Sequence, residues 1–280
     1  MTKNTFLILF FLFASSCLFS QPGYDYHNFS LHPEEAYKHL IADNVNIRDI
    51  PSTKGKIVAK LPIASYVKIL EKTDYILTLK GFTSNWYKVS FGNLQDIRND
   101  KNIGYVWGGM ISYKTVYIGG AESYDNDIVA YHFGVHSVIT ENGFQDEGLF
   151  QIRVSKNNKQ LDKLVTQQMP FDVSFNLESL GSKGFKNIDD IFSVHQYQEK
   201  CDGVDYKQIL ILDAGKLYNI TDLESGGYED EWHEEYVIYP DDERGSPNTI
   251  IIVHDSYYRG ERDIEFKKFR WNGVALIEIE

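Results

Sequence analysis

The chain is organised by short alternations of apolar and polar residues. Val45 and Ile47 alternate with polar neighbours until Pro51 breaks the pattern. KIVAKLP and YVKILEK, with a turn at Pro62 to Ser65, then WYKVSF and IGYVWGGMI, repeat that behaviour. Period-two alternation interrupted by turn residues predicts half-buried strands of a small barrel or sandwich. Further along, DIVAYHFGVHSVI and VSFNLESL read as strands. YKQILILDAGKLYNI reads as a hairpin about Asp213-Ala214-Gly215, and the last thirty or so residues hold two more, near Tyr258 to Arg262 and at Asn272-Gly273. Asn-Gly between apolar runs is the strongest short-range hairpin signal. Two segments predict helix. Pro33-Glu34-Glu35 ahead of Ala36 to Leu40 suits one or two turns, with Pro and acids at the N-terminal end. Lys156 to Gln168 (KNNKQLDKLVTQQ) is the longest helical candidate, although its Asn157-Asn158 start suits a turn equally well. The fold class expected is therefore mainly β: a small barrel followed by a larger strand-rich, meander- or sandwich-like domain with one or two short helices.

The N-terminus has a different pattern. Lys3 precedes an unbroken apolar run from Phe6 to Phe13, followed by the small residues Ala14, Ser15 and Ser16. That order is the signature of a secretory signal. The run is shorter than the ~20 apolar residues of a membrane span. Cleavage after Ser20 is favoured. The alternative is lipidation of Cys17 in the ASSC box, which departs from the usual pattern by having Ala14 where Leu is common. The domain reading is a signal over 1–20, a lead segment over 21–40, a barrel over 41–112 and a strand-rich acidic domain over 120–280. The barrel is expected to close as a unit of its own. The expected location is exported: periplasmic, extracellular or envelope-anchored.

Residues 45–106 carry a resemblance. Val45-Asn46-Ile47-Arg48, Pro51-Ser52, Ile57-Val58, Leu61-Pro62, Trp86-Tyr87-Lys88-Val89 and Gly104-Tyr105-Val106 stand in the order typical of the bacterial SH3-type (SH3b) domain. The stretch from 41 to 112 resembles that family, and the resemblance covers about a quarter of the chain. It implies a small barrel that recognises a peptide or a wall-derived polymer without transforming it. The candidate contacts it implies are Trp86, Tyr87, Tyr105 and Trp107, with Arg48 near the mouth. Trp86 and Val106 also suit barrel core, and Arg48 also suits holding the Asp49–Pro51 turn. Strand alternation puts Tyr105 and Trp107 on one face, together inside or together outside. An insertion, Ser90 to Ile103, separates the last two pieces and is expected to modify the binding face.

Charge then limits the partners. Residues 41–112 carry ten Lys/Arg against six Asp/Glu, a net +4, whereas residues 113–280 carry sixteen against thirty-one, a net −15. The second part lacks the basic stripe that nucleic acid requires. The first part suits an anionic wall polymer, and the asymmetry would let the two parts attract each other.

Chemistry is sparse. The chain has two cysteines, Cys17 and Cys201. Cys201 precedes a strand and lies beside Asp202 and Asp205, which would raise a thiol pKa, so it lacks the setting of a nucleophile. His132 and His136 have an H-x-x-x-H spacing but sit in a strand-like context with no adjacent Glu. The acidic run from Glu224 to Glu243 contains no Lys or Arg and reads as a solvated loop. Asp222, Glu224 and Asp230 are its weak calcium candidates, though the closing Glu of an EF-hand is missing. No phosphate loop, nucleophile elbow or zinc-protease motif occurs. The expectation is a binding protein with no cofactor. Two alternatives stay open: an envelope hydrolase whose C-terminal domain is catalytic, and an interaction protein in which the basic barrel docks on the acidic domain.

Overall fold

A computed structural model describes residues 37–79, 82–118, 129–138, 147–165, 169–170, 174–197, 204–228 and 231–280. The segment expected to be an export signal, with Cys17, and Cys201 and Asp230 lie outside the described residues. The protein is mainly β. Among the described residues no helix is long and apolar enough to cross a membrane.

The first part curls six strands about one core: β1 (Tyr37–His39), β2 (Val45–Arg48), β3 (Ile57–Leu61), β4 (Tyr66–Leu79), β5 (Phe82–Phe91) and β6 (Ile103–Trp107). They pair antiparallel in the spatial order β1-β4-β5-β6-β2-β3. Alternation decides what faces inward. Val45 and Ile47 of β2, Val67 and Ile69 of β4, Tyr87 and Val89 of β5 and Val106 of β6 meet Leu40, Ala42 and Ile111 in a closed cluster. That core is drawn wholly from residues 40–111. Close packing needs a glycine at position 104. A Cβ there would run into the Ile47 side chain and lie 3.0 Å from the Arg48 carbonyl. Gly104→Ala is therefore expected to lower stability by about 1–3 kcal/mol, the usual penalty for overpacking, read as a shift in urea midpoint. An unchanged midpoint would mean that the two strands separate freely.

The segment between β5 and β6 folds inward. Leu94–Arg98 forms a short helix, α1, whose Asn93 side chain accepts the Asp96 N–H at 2.9 Å. Ile97 is fully buried, and Lys68 pairs with Asp100 at 2.9 Å just beyond the helix.

Both helices expected from sequence are corrected where the structure describes them; Pro33 to Ala36 and Thr166 to Gln168 lie outside the described residues. Tyr37–His39 is a strand paired with Tyr66 to Lys68, so sheet edge pairing overrides local preference. Lys156 to Val165 belongs to a hairpin between β9 (Glu147–Lys156) and β10 (Lys159–Val165). Asn157 and Asn158 both take positive φ, 53° and 56°, the geometry of a two-residue hairpin turn that Asn tolerates.

Nor does the first sheet stop at Ser112. β7 (Lys114–Tyr117), β8 (Ala130–Val138), β9, β10 and β11 (Met169–Pro170) extend it to eleven strands, joined to the curled part where Thr83 of β5 pairs with Ser137 of β8. The barrel-like part therefore has its own core but shares its sheet with later residues. The long β4–β5 hairpin reaches past that core and offers β8 an edge.

The second sheet is a meander of eight strands in chain order: β12 (Ser174–Ser179), β13 (Asp190–Tyr197), β14 (Asp205–Asp213), β15 (Lys216–Tyr228), β16 (Glu231–Ile238), β17 (Thr249–Tyr258), β18 (Glu261–Trp271) and β19 (Leu276–Ile279). The three hairpin turns read from sequence are present. Ala214-Gly215 and Arg259-Gly260 take positive φ at both residues, and Asn272 accepts the Val274 and Ala275 N–H groups at 2.9 Å each beside Gly273 at φ 95°. The apolar run in β14 is buried on both faces. Leu210 and Leu212 pack with Tyr131, Phe133, Phe150 and Phe192 between the two sheets, while Ile209 and Ile211 pack with Phe185, Tyr239 and Ile250 on the other side. A short continuous apolar run is what a strand covered on both sides requires.

Candidate functional site: the outer face of the curled sheet

The candidate contacts divide between two faces of the same strands. Tyr87 points into the barrel core and is 2% exposed. Trp86 pairs with Trp107, and Lys88 pairs with Tyr105, which itself pairs with Arg48. Residues directly opposite share a face, so Trp86, Trp107, Lys88, Tyr105 and Arg48 all lie on the outer side of the curl.

One end of that row is closed. The Trp107 indole N–H donates to the Leu77 and Ser84 carbonyls at 3.0 and 3.2 Å, and Thr73 Oγ1 donates to the Trp86 carbonyl at 2.9 Å. Register shifts along β4 let its far end bend over the two tryptophans. Trp86 and Trp107 are left 4% and 6% exposed. Of the two alternatives for Tyr105 and Trp107, together inside or together outside, neither holds in full: alternation puts them on one face, but the hairpin covers Trp107 alone. Trp86, Tyr87 and Trp107 support the surface and do not form it.

The other end is open. Arg48, Tyr105 and Lys88 are half-buried in one cross-strand row, flanked by exposed Ile57 and Ile103. Arg48 Nη1 donates to the Gly55 carbonyl at 2.6 Å and so holds the 49–56 turn. Lys54, Lys56 and Lys60 surround the same edge. The surface therefore combines one aromatic ring, two aliphatic side chains and a mostly basic border, with the exposed Glu71 directly opposite Lys88. It suits an extended anionic partner: the ring and aliphatics supply contact area and the cations supply steering.

A second cluster lies where the curled part meets the rest. His132 is buried and bridges Thr115 Oγ1 at 3.1 Å and Ser155 Oγ at 2.8 Å. Tyr117 OH lies 3.0 Å from His39 Nε2, the two imidazoles are 5.9 Å apart, and Ser112 Oγ donates to the His39 carbonyl. Burial, with Lys38 nearby, lowers the His39 pKa to about 4. Burial, with His39 and Arg153 nearby, lowers that of His132 to about 3. Both imidazoles are therefore neutral at pH 7, and the cluster is a polar joint. Sequence could not reveal it, because its members are scattered from 39 to 155.

Most of the described acidic segment is corrected from a loop to strands, while Asp241, Asp242 and Glu243 lie in the loop between β16 and β17. Glu224 lies in β15, and Glu231, Glu234 and Glu235 lie in β16, so alternation spreads the carboxylates over both faces. Asp222 accepts from Gln208 and Asn219, and Glu224 lies 3.6 Å from His233 Nε2. Among the described residues no group of three or more His, Cys, Asp or Glu is placed to hold a metal ion.

No family model and no curated protein matches the chain.

Proposed function

We propose that this chain is an exported, envelope-associated binding protein. Its curled N-terminal sheet holds an anionic peptide or wall polymer on the Arg48–Tyr105–Lys88 face, without catalysis. The observation that carries this reading is the row itself. One aromatic and two basic side chains stand in register across three strands, on the face turned away from the core, with exposed aliphatics beside them. The resemblance of residues 41–112 to bacterial SH3-type domains and the net +4 of that stretch point the same way.

The test is co-sedimentation of the full chain with purified peptidoglycan. Retention is expected at low salt and should fall as salt is raised, because rim charges are screened. Tyr105→Ala should weaken retention about tenfold, the effect typical of an aromatic anchor. Lys88→Glu should weaken it further at low salt than at high salt. Failure of the parent to sediment, together with release of soluble fragments from the wall preparation, would replace this reading with the hydrolase.

The joint about His39 and His132 favours a role for the second part as a rigid carrier. Lys38 Nζ donates to the Tyr113 carbonyl at 2.9 Å, and the Gln160 N–H reaches Asp43, so the binding face is fixed to the sandwich.

A further inference from the structure

The joint between the curled part and its carrier is rich in buried polar groups. The core of the curled part is drawn from residues 40–111, and the core between the two sheets from Tyr113 onward. Among the described residues no core cluster spans the joint. Lys38, Ser112, His132, Gln151 and Ser155 are instead almost wholly buried there. Among the described strands, the ladder crosses from the curled part to β8 at Thr83 and Ser137.

Inside the joint His39 and His132 face each other, with ring centres 5.9 Å apart. Each ring nitrogen of His132 meets a hydroxyl, and the Tyr66 ring stands edge-on to His39 at 4.2 Å. Tyr117 OH takes the Nε2 of His39. No carboxylate bonds either imidazole among the described residues. The charges that face the pair are mostly positive: Lys38 acts on His39, Arg153 acts on His132, and Lys163 stands opposite Arg153 across the strands. Asp43 opposes them only through Arg153. A second positive charge placed here would find little to balance it.

We propose that this joint is a latch worked by acid: protonation of His39 and His132 lets the curled part swing away from the carrier while both cores stay folded. The latch does not depend on what the outer face binds. In the closed form the two groups titrate at about 4 and about 3, and in the open form water restores them toward the ordinary 6.5. Opening therefore takes up protons, and falling pH drives it. Between pH 7 and 4.5 the pair should shift the balance toward the open form by about 10³–10⁴-fold. His39 is half-buried, which gives protons a way in. Opening leaves each core cluster whole, so it costs less than unfolding either part.

Small-angle X-ray scattering of the full chain from pH 7 downward tests the latch. Far-UV and near-UV circular dichroism, run in parallel, follow the strands and the packed aromatics. A dilution series separates opening from association near the isoelectric point of about 5.1. The radius of gyration is expected to rise between about pH 4.5 and 3.5 and to fall back on return to pH 7, with both dichroism signals retained. His39→Gln/His132→Gln has no proton to take up at the joint and should stay compact to a lower pH. Asp43→Asn removes the acid that offsets Arg153 and should open at a higher pH than the parent. A parent that stays compact throughout, or that loses both dichroism signals as it expands, would overturn the latch. So would a double variant that opens where the parent does, or an Asp43→Asn midpoint no higher than the parent's.

Discussion

Lowering the pH from 7 to 4.5 should remove about 5 kcal/mol of stability through His39 and His132 alone, on the order of 2–3 kcal/mol from each. In the folded protein their pKa values are about 4 and about 3, against 6.5 for the free side chain. The unfolded chain therefore binds more protons than the folded one between those limits. Stability is full above pH 6.5 and is lost as pH falls toward the folded values. The cause is local. A protonated His132 would sit among Thr115, Ser155 and a second imidazole, with Lys38 and Arg153 adding positive charge and Asp43 as the nearby acid. Urea midpoints of the parent and of His39→Gln/His132→Gln, each at pH 7 and 4.5, measure this. The double variant should be weaker at pH 7 and should lose far less on acidification. An equal loss in both proteins would show that other groups set the acid response.

Asp190→Ala should destabilise the protein by about 3–5 kcal/mol, because it leaves two or more buried donors unpaired. Asp190 is fully buried at the start of β13 and accepts the Tyr131 hydroxyl at 2.7 Å, the Ser179 hydroxyl at 3.0 Å and the Gly181 N–H at 2.9 Å. Tyr131 stands on β8 of the first sheet and stacks on Phe192 of the second, with ring centroids 4.2 Å apart, so the carboxylate ties one layer of the sandwich to the other. Burial raises the Asp190 pKa even though these donors oppose the shift. Asp190→Asn keeps one acceptor and should lose roughly half as much. Denaturant unfolding of both variants decides the matter, and an Ala variant within about 1 kcal/mol of the parent would mean that water replaces the carboxylate.

Turns and buried runs were legible in the amino-acid sequence because their causes are local. Asn272-Gly273 needs only its own φ preferences, and the run in β14 needs only cover on both faces. The 159–165 segment misleads for an equally physical reason. Leu161, Leu164 and Val165 have helical spacing, yet the Asn-Asn pair turns the chain back onto β9, and Leu161 and Val165 end up exposed on a strand. At the candidate site, alternation correctly places Tyr105 and Trp107 together. It could not show that a hairpin from residues 73–85 would close over the second.

The chain-order pairing of β12 to β19 has a consequence for assembly. Each strand of that meander meets the one just made, across links as short as Ala214-Gly215 and Arg259-Gly260, so every closure fixes little extra entropy. The eleven-stranded sheet must instead bring Thr83 to Ser137 and Arg48 to Tyr105 before either contact rewards it. Long-range pairing of that kind is intrinsically slow. By contact order, the kinetic burden of reaching the native state falls on the half of the molecule that holds the curled sheet.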